Sequence, residues 1–212
     1  MIKKRGTKST DYFILKEINP VIRILTFCDL IVISAFGLIT PIFAIFITQS
    51  IDGGTIEVAG IAYAVLFLSE SIFQIPLATI IDKIKGEKDD FLALVIGSII
   101  FSVVPILYIF ISTPIELYIV QFIYGFALAM TGPSWYAIFT RHIDRRREGL
   151  EWGIYRTLTS LGSAIAASLG GFLITKFGFD YIFILISALS FVGSIFIISV
   201  KSHMKTGKIL RN

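Results

Sequence analysis

The chain has 212 residues, of which 55% are hydrophobic and only 16% charged, and its mean hydropathy is +0.84. Soluble domains carry about 25% charged residues, so this composition excludes an ordinary water-soluble globule, and so much apolar surface excludes a disordered chain. The net charge of +4 does not point to nucleic acid, because in so apolar a chain the placement of charge matters more than its sum.

The apolar residues arrive in runs of about 20, the length of a helix crossing a bilayer core of about 30 Å. In chain order they cover 24–48, 58–81, 91–111, 117–139, 150–175 and 181–200. They predict an all-α membrane protein with six transmembrane helices, since barrel strands would instead alternate over about ten residues. Residues 1–23 form a basic arm before this 24–200 domain, and 201–212 a basic tail after it. Within the arm, Tyr12-Phe13-Ile14-Leu15 reads as a short interfacial helix or as part of a disordered segment. The arm is not expected to be a cleaved signal, because the first run is too long for one.

Span 1 opens at Asn19-Pro20 and carries Asp29 one to two turns inside, with Gly37, Thr40 and Pro41 farther along. Its Cys28 is the only cysteine, which excludes an internal disulfide and predicts a small buried hydrophobe. Asp52-Gly53-Gly54 then makes a turn. Span 2 has Glu70 near its middle, and on a helical wheel Tyr63, Phe67, Glu70 and Gln74 form one stripe about 60° wide. A carboxyl at that depth is a plausible proton carrier, or else a neutral group bonded to a neighbouring helix as packing glue.

Asp82, Lys83 and Gly86 follow in a charged loop, then span 3 and the turn Ser112-Thr113-Pro114. Span 4 presents Gln121, Gly125, Ala129 and Gly132 on one face before Pro133. Span 5 holds Arg156, level with Asp29, so an ion pair between spans 1 and 5 is sensible unless the arginine reaches the interface instead. Farther along it, Gly162, Ala166 and Gly170, with Gly171 beside them, give the small-residue spacing that lets helices approach closely. Phe177-Gly178-Phe179-Asp180 is the last turn. Pro41-Ile-Phe-Ala-Ile-Phe46 is loosely echoed by Pro133-Ser-Trp-Tyr-Ala-Ile-Phe139, which suggests two three-helix inverted repeats.

Seventeen of the nineteen lysines and arginines fall in the arm, the second and fourth loops and the tail. Lys176 stands alone on the other side, and Arg156 lies within a span. The positive-inside rule therefore predicts cytoplasmic termini in a cell membrane.

Three stretches carry a family likeness. Ala78-x3-Asp82-Lys83-x2-Gly86 is similar to a Gly-x3-Asp-Arg/Lys-x-Gly signature, with Ala78 in place of the first glycine and Gly86 one residue late. Gln121-x3-Gly125 stands where Arg-x3-Gly is common. Gly162-x3-Ala166-Ala167-x2-Gly170-Gly171 lacks only the Gly-Pro pair of an antiporter motif. In layout the chain resembles the amino-terminal half of a major facilitator superfamily transporter. The resemblance implies alternating-access transport of an unidentified small molecule, with Asp82, Lys83 and Gly86 in a cytoplasmic gate. Asp29, Glu70, Gln74, Gln121 and Arg156 are then the candidate substrate and proton pathway.

Family members have twelve helices, so six spans imply a homodimer or pairing with a second six-helix half. A non-transporting membrane scaffold derived from a transporter half is the alternative. An enzyme is not expected: His142 and His203 lie outside the spans, and neither a metal-spaced cluster nor a Gly-rich phosphate loop is present. No cofactor is implied.

Overall fold

A computed structural model describes residues 18–82 and 87–204. The interfacial-helix reading at Tyr12–Leu15, most of the basic arm, Lys83, Gly86 and the end of the tail lie outside the described residues.

Helix α1 (Pro20–Gly37) begins where Asn19 and Pro20 predict. The Asn19 side chain accepts the Val21 N–H at 2.9 Å, and proline fills the first helical position, where no N–H is needed. The helix breaks before Pro41, passes through a 3-10 turn at Thr40–Ile42 and resumes as α2 (Phe43–Ser50). Helices α3 (Ile56–Asp82) and α4 (Lys88–Leu107) follow. At the start of α5 (Pro114–His142), Thr113 accepts the Glu116 N–H while Glu116 accepts the Ser112 and Thr113 N–H groups, forming a capping box.

Helix α6 (Glu148–Ile198) is a run of 51 residues interrupted only at Gly178, whose φ of 82° and ψ of 172° suit glycine. A straight helix of that length would extend roughly 76 Å. Trp152 and Tyr155 near its start nevertheless pack in the same core as Ile197 near its end. The run therefore doubles back at Gly178 into two antiparallel arms, and the turn expected over four residues contracts to one.

All regular structure among the described residues is helical. Five segments are long and apolar enough to cross a membrane: Pro20–Ser50, Ile56–Asp82, Lys88–Leu107, Pro114–His142 and Glu148–Ser202, the last being the folded-back run.

The bundle pairs α1 with α6, α3 with α5, and α4 with both α5 and α6. Small residues set the close approaches. A methyl added at Gly37 would lie 3.2 Å from the Ala166 Cβ of α6, and one at Gly125 would meet the α3 backbone at Leu66 and Glu70. Helix α4 and the second arm of α6 are joined by serines. The Ser102 and Ser194 hydroxyls are 3.0 Å apart, and Ser187 donates to the Ser102 carbonyl at 2.7 Å.

Two cores divide the bundle by its ends. One gathers Phe43, Phe46, Tyr108 and Phe183. The other gathers Ile22, Leu94, Phe139, Ile197 and Val200. Arg23, Lys88, Arg141 and Lys201 lie at the second end, and Lys176 at the first.

Candidate functional site

Two adjoining chambers, of about 190 Å³ and about 520 Å³, lie among α1, α4, α5 and α6. Val32, Ile33, Phe101 and Leu128 wall both, so they form one elongated space. The smaller has Asp29 on one side and Trp135, Tyr136 and Tyr155 around it. Among its described lining residues Asp29 is the sole carboxylate. Tyr155 donates to Asp29 Oδ2 at 2.8 Å, while Oδ1 accepts no hydrogen bond from the described residues. The buried Trp135 Nε1–H finds no acceptor among them, although its ring stacks on Phe139 with centroids 4.7 Å apart. The nearby Ser98, Thr131 and Ser194 hydroxyls already bond helix carbonyls.

The wider chamber lies beside the break in α1. Phe36, Pro41, Tyr124 and Ala167 line it, and the Thr40 hydroxyl is turned back onto the Phe36 carbonyl. The Tyr124 ring rests against Phe36 and Phe101, at centroid distances of 5.8 and 5.3 Å.

The predicted pathway residues divide. Helix α3 buries only a narrow strip, chiefly Ala59, Ala62, Leu66 and Ser69, and the Ser69 hydroxyl donates to the Phe122 carbonyl of α5 at 2.8 Å. That orientation brings half-buried Glu70 within electrostatic reach of Tyr124. Gln74 faces Gly132, where an added methyl would lie 3.8 Å from its Nε2. Glu70 thus stands beside the wider chamber at Tyr124 and Gln74 beside the smaller one at Gly132, and neither lines a chamber.

Gln121 does not join them. It is 1% exposed and accepts the Tyr108 hydroxyl at 3.2 Å inside the aromatic core. Arg156 is exposed and makes no ion pair with the described residues, so the Asp29–Arg156 bridge is absent. Tyr155, one position earlier and about 100° around the helix, takes the carboxylate instead. A neutral donor satisfies Asp29 without the cost of desolvating a guanidinium.

Asp82 ends α3 as an exposed residue, and with Lys83 and Gly86 outside the described residues the gate loop is seen only at its margins. Sequence reasoning passed over the neighbouring contacts. Arg141 at the end of α5 pairs with Asp90 at the start of α4, and His142 Nε2 lies 3.8 Å from Glu87. Acids opening a helix and cations closing one, as helix dipoles favour, were the available signal.

The small-residue face of span 5 also divides. Gly162 lies against Leu30 and Ser34, Ala166 against Gly37, and Gly170 against the Leu38 backbone, all in or just past α1. Gly171 meets nothing within 4 Å and takes no part in this packing.

Residues 25–209 match the family model described as Major Facilitator Superfamily. The chain is also similar to a protein of Methanocaldococcus jannaschii described as an uncharacterized MFS-type transporter, with 28% identity over 192 residues. That alignment covers 91% of this chain and 46% of the relative, so the chain spans about half the length of the curated protein it matches.

Proposed function

The chain belongs to the major facilitator superfamily, and on that premise we propose that it is a secondary transporter moving a small molecule by alternating access. The observation that carries this reading is the pair of continuous chambers among α1, α4, α5 and α6, with Asp29 in the smaller and Gln74 beside it, and Glu70 beside the wider. Sites of this kind form near the midplane between two halves. This chain would supply one wall, with a second copy or another six-helix half supplying the opposite one.

The membrane topology we infer has six crossings, with the two arms of α6 counted separately, and both termini cytoplasmic in a cell membrane. Two inverted three-helix repeats account for the pairings. Exchanging α1 with α5, α3 with the first arm of α6, and α4 with the second arm converts the α3–α5 contact at Gly125 into the α1–α6 contact at Gly37. It likewise converts the α4–α5 contact at Gly97 into the contact of Gly193 with Val32 of α1.

Light scattering of the detergent-solubilised protein tests the dimer of halves, and a stable, strictly monomeric species refutes it. Solute-driven proton movement into proteoliposomes, followed with an internal pH dye across a solute panel, tests transport. We assign Glu70 the proton-carrying role, so Glu70→Gln should abolish pH-driven uptake while leaving expression unchanged. Unaltered uptake removes that role. A well-folded protein that moves nothing, alone or with a second half, favours the scaffold reading.

A further inference from the structure

From the chemistry of the two chambers we infer that this site binds an amphiphilic organic cation, its charged head at Asp29 and its apolar body in the wider chamber. The inference rests on the transport reading above and narrows it to a substrate class.

The head site is built for positive charge. Asp29 is the sole carboxylate among the described lining residues of the smaller chamber, and its Oδ1 is unmatched by any donor of the described residues. The rings of Trp135, Tyr136 and Tyr155 stand around the same space, and aromatic faces attract cations within about 6 Å. Arg156, next to Tyr155 in sequence, is exposed, lines neither chamber and makes no ion pair with Asp29, although its charge reaches the Tyr155 hydroxyl. A metal ion is poorly matched, because among the described lining residues no second carboxylate, histidine or cysteine joins Asp29. Trp135 contributes a second signal. Its residue is only 7% exposed, and its buried indole N–H is an unmet donor among the described residues, beside the head site.

The body site suits an apolar group better than a sugar, since of its lining side chains only Thr40, Tyr124 and Ser163 carry hydroxyls. Sugars require many convergent hydrogen-bonding groups, whereas Phe36, Pro41, Phe101 and Ala167 dominate the wider chamber and the Thr40 hydroxyl is already bonded. An anion would face the Asp29 carboxyl with no lysine, arginine or histidine among the described lining residues to pair with.

The test uses the full chain in detergent, with tetraphenylphosphonium as the cation and tetraphenylborate as the anion of the same shape, in separate titrations. Quenching of the two tryptophans, corrected with protein-free micelles, reports binding. Tetraphenylphosphonium should bind saturably and at least tenfold more tightly than tetraphenylborate. Asp29→Asn, whose amide oxygen still accepts from Tyr155, should erase that preference. Equal binding of the two ions, or a cation preference retained in Asp29→Asn, overturns the proposal. The comparison of the two ions on the unaltered protein remains decisive even if the variant misfolds. Asp29-dependent cation binding without flux would defeat the transport reading alone. Flux of neutral or anionic solutes with no phosphonium binding would defeat the cation proposal alone.

Discussion

Adjacent glycines in α6 should respond oppositely to the same substitution. A methyl at Gly170 would fall on the Leu38 carbonyl group and lie 3.0 Å from the Leu38 Cα, all backbone atoms that cannot rotate aside. Forcing such an overlap costs about 1–3 kcal/mol, against which alanine gains about 1 kcal/mol over glycine in helix propensity. Gly170→Ala should therefore destabilise by up to about 2 kcal/mol. At Gly171 a methyl meets nothing within 4 Å, so Gly171→Ala should be neutral or stabilising by up to about 1 kcal/mol. The two variants should differ by about 2 kcal/mol, or roughly 4–8 °C in thermal midpoint for a domain of this size. Unfolding of the purified protein, read through the newly exposed Cys28 thiol, measures the difference. Equal midpoints, or a lower one for Gly171→Ala, would refute the placement of this helix face against Leu38.

Gly178→Ala should cost about 1–3 kcal/mol through backbone strain alone, since φ is 82° and no atom lies within 4 Å of the added methyl; serine should cost the same as alanine in the same thermal assay, whereas at Gly170 the penalty should grow with side-chain size. Asp90→Asn and Arg141→Gln should be non-additive in a double-mutant cycle of thermal midpoints. Because the Arg141 side chain is 41% exposed, the coupling should be about 1 kcal/mol rather than the several expected of a fully buried pair. Ser187→Ala, which removes the bond from the second arm of α6 to the Ser102 carbonyl, should lower stability by about 0.6 kcal/mol, the average for hydrogen bonds between membrane helices.

Local signals in the sequence were reliable where one segment decided the outcome. Asn19-Pro20 and Thr113-Pro114-x-Glu116 mark helix starts through bonds made within four residues, and runs of about 20 apolar residues mark the spans. Depth along a helix was also legible, which is why Asp29 and the residues beside Arg156 do meet. Rotation about the helix axis was not. The sequence places Tyr155 and Arg156 one residue apart, and only packing decides that the tyrosine turns toward α1. Gln121 turned inward for the same reason, drawn by the buried Tyr108 hydroxyl that it accepts. Gly170 and Gly171 share a motif but lie about 100° apart, so only one reaches the neighbouring backbone. The Asp90–Arg141 pair joins residues 51 apart in sequence, a proximity that span lengths and charge counts do not contain.

The burial pattern of α3 bears on where an opposing wall would dock. A helix surrounded by lipid on its free side should be apolar there, and Leu68, Ile72 and Ile75 supply one such surface, each more than half exposed. The stripe of Tyr63, Phe67, Glu70 and Gln74 is different. Phe67 is 57% exposed, yet a carboxyl and an amide share its face. Ionisable groups in a membrane turn toward protein or water because hydrocarbon offers them nothing. A lipid-facing role for this stripe would leave Glu70 and Gln74 uncompensated, whereas a second half packed across it would provide partners and close the space beside Tyr124. On the dimer-of-halves proposal the free surface of α3 would divide by rotation about its axis, with lipid on the Leu68–Ile72–Ile75 side and the opposing half on the Glu70 side.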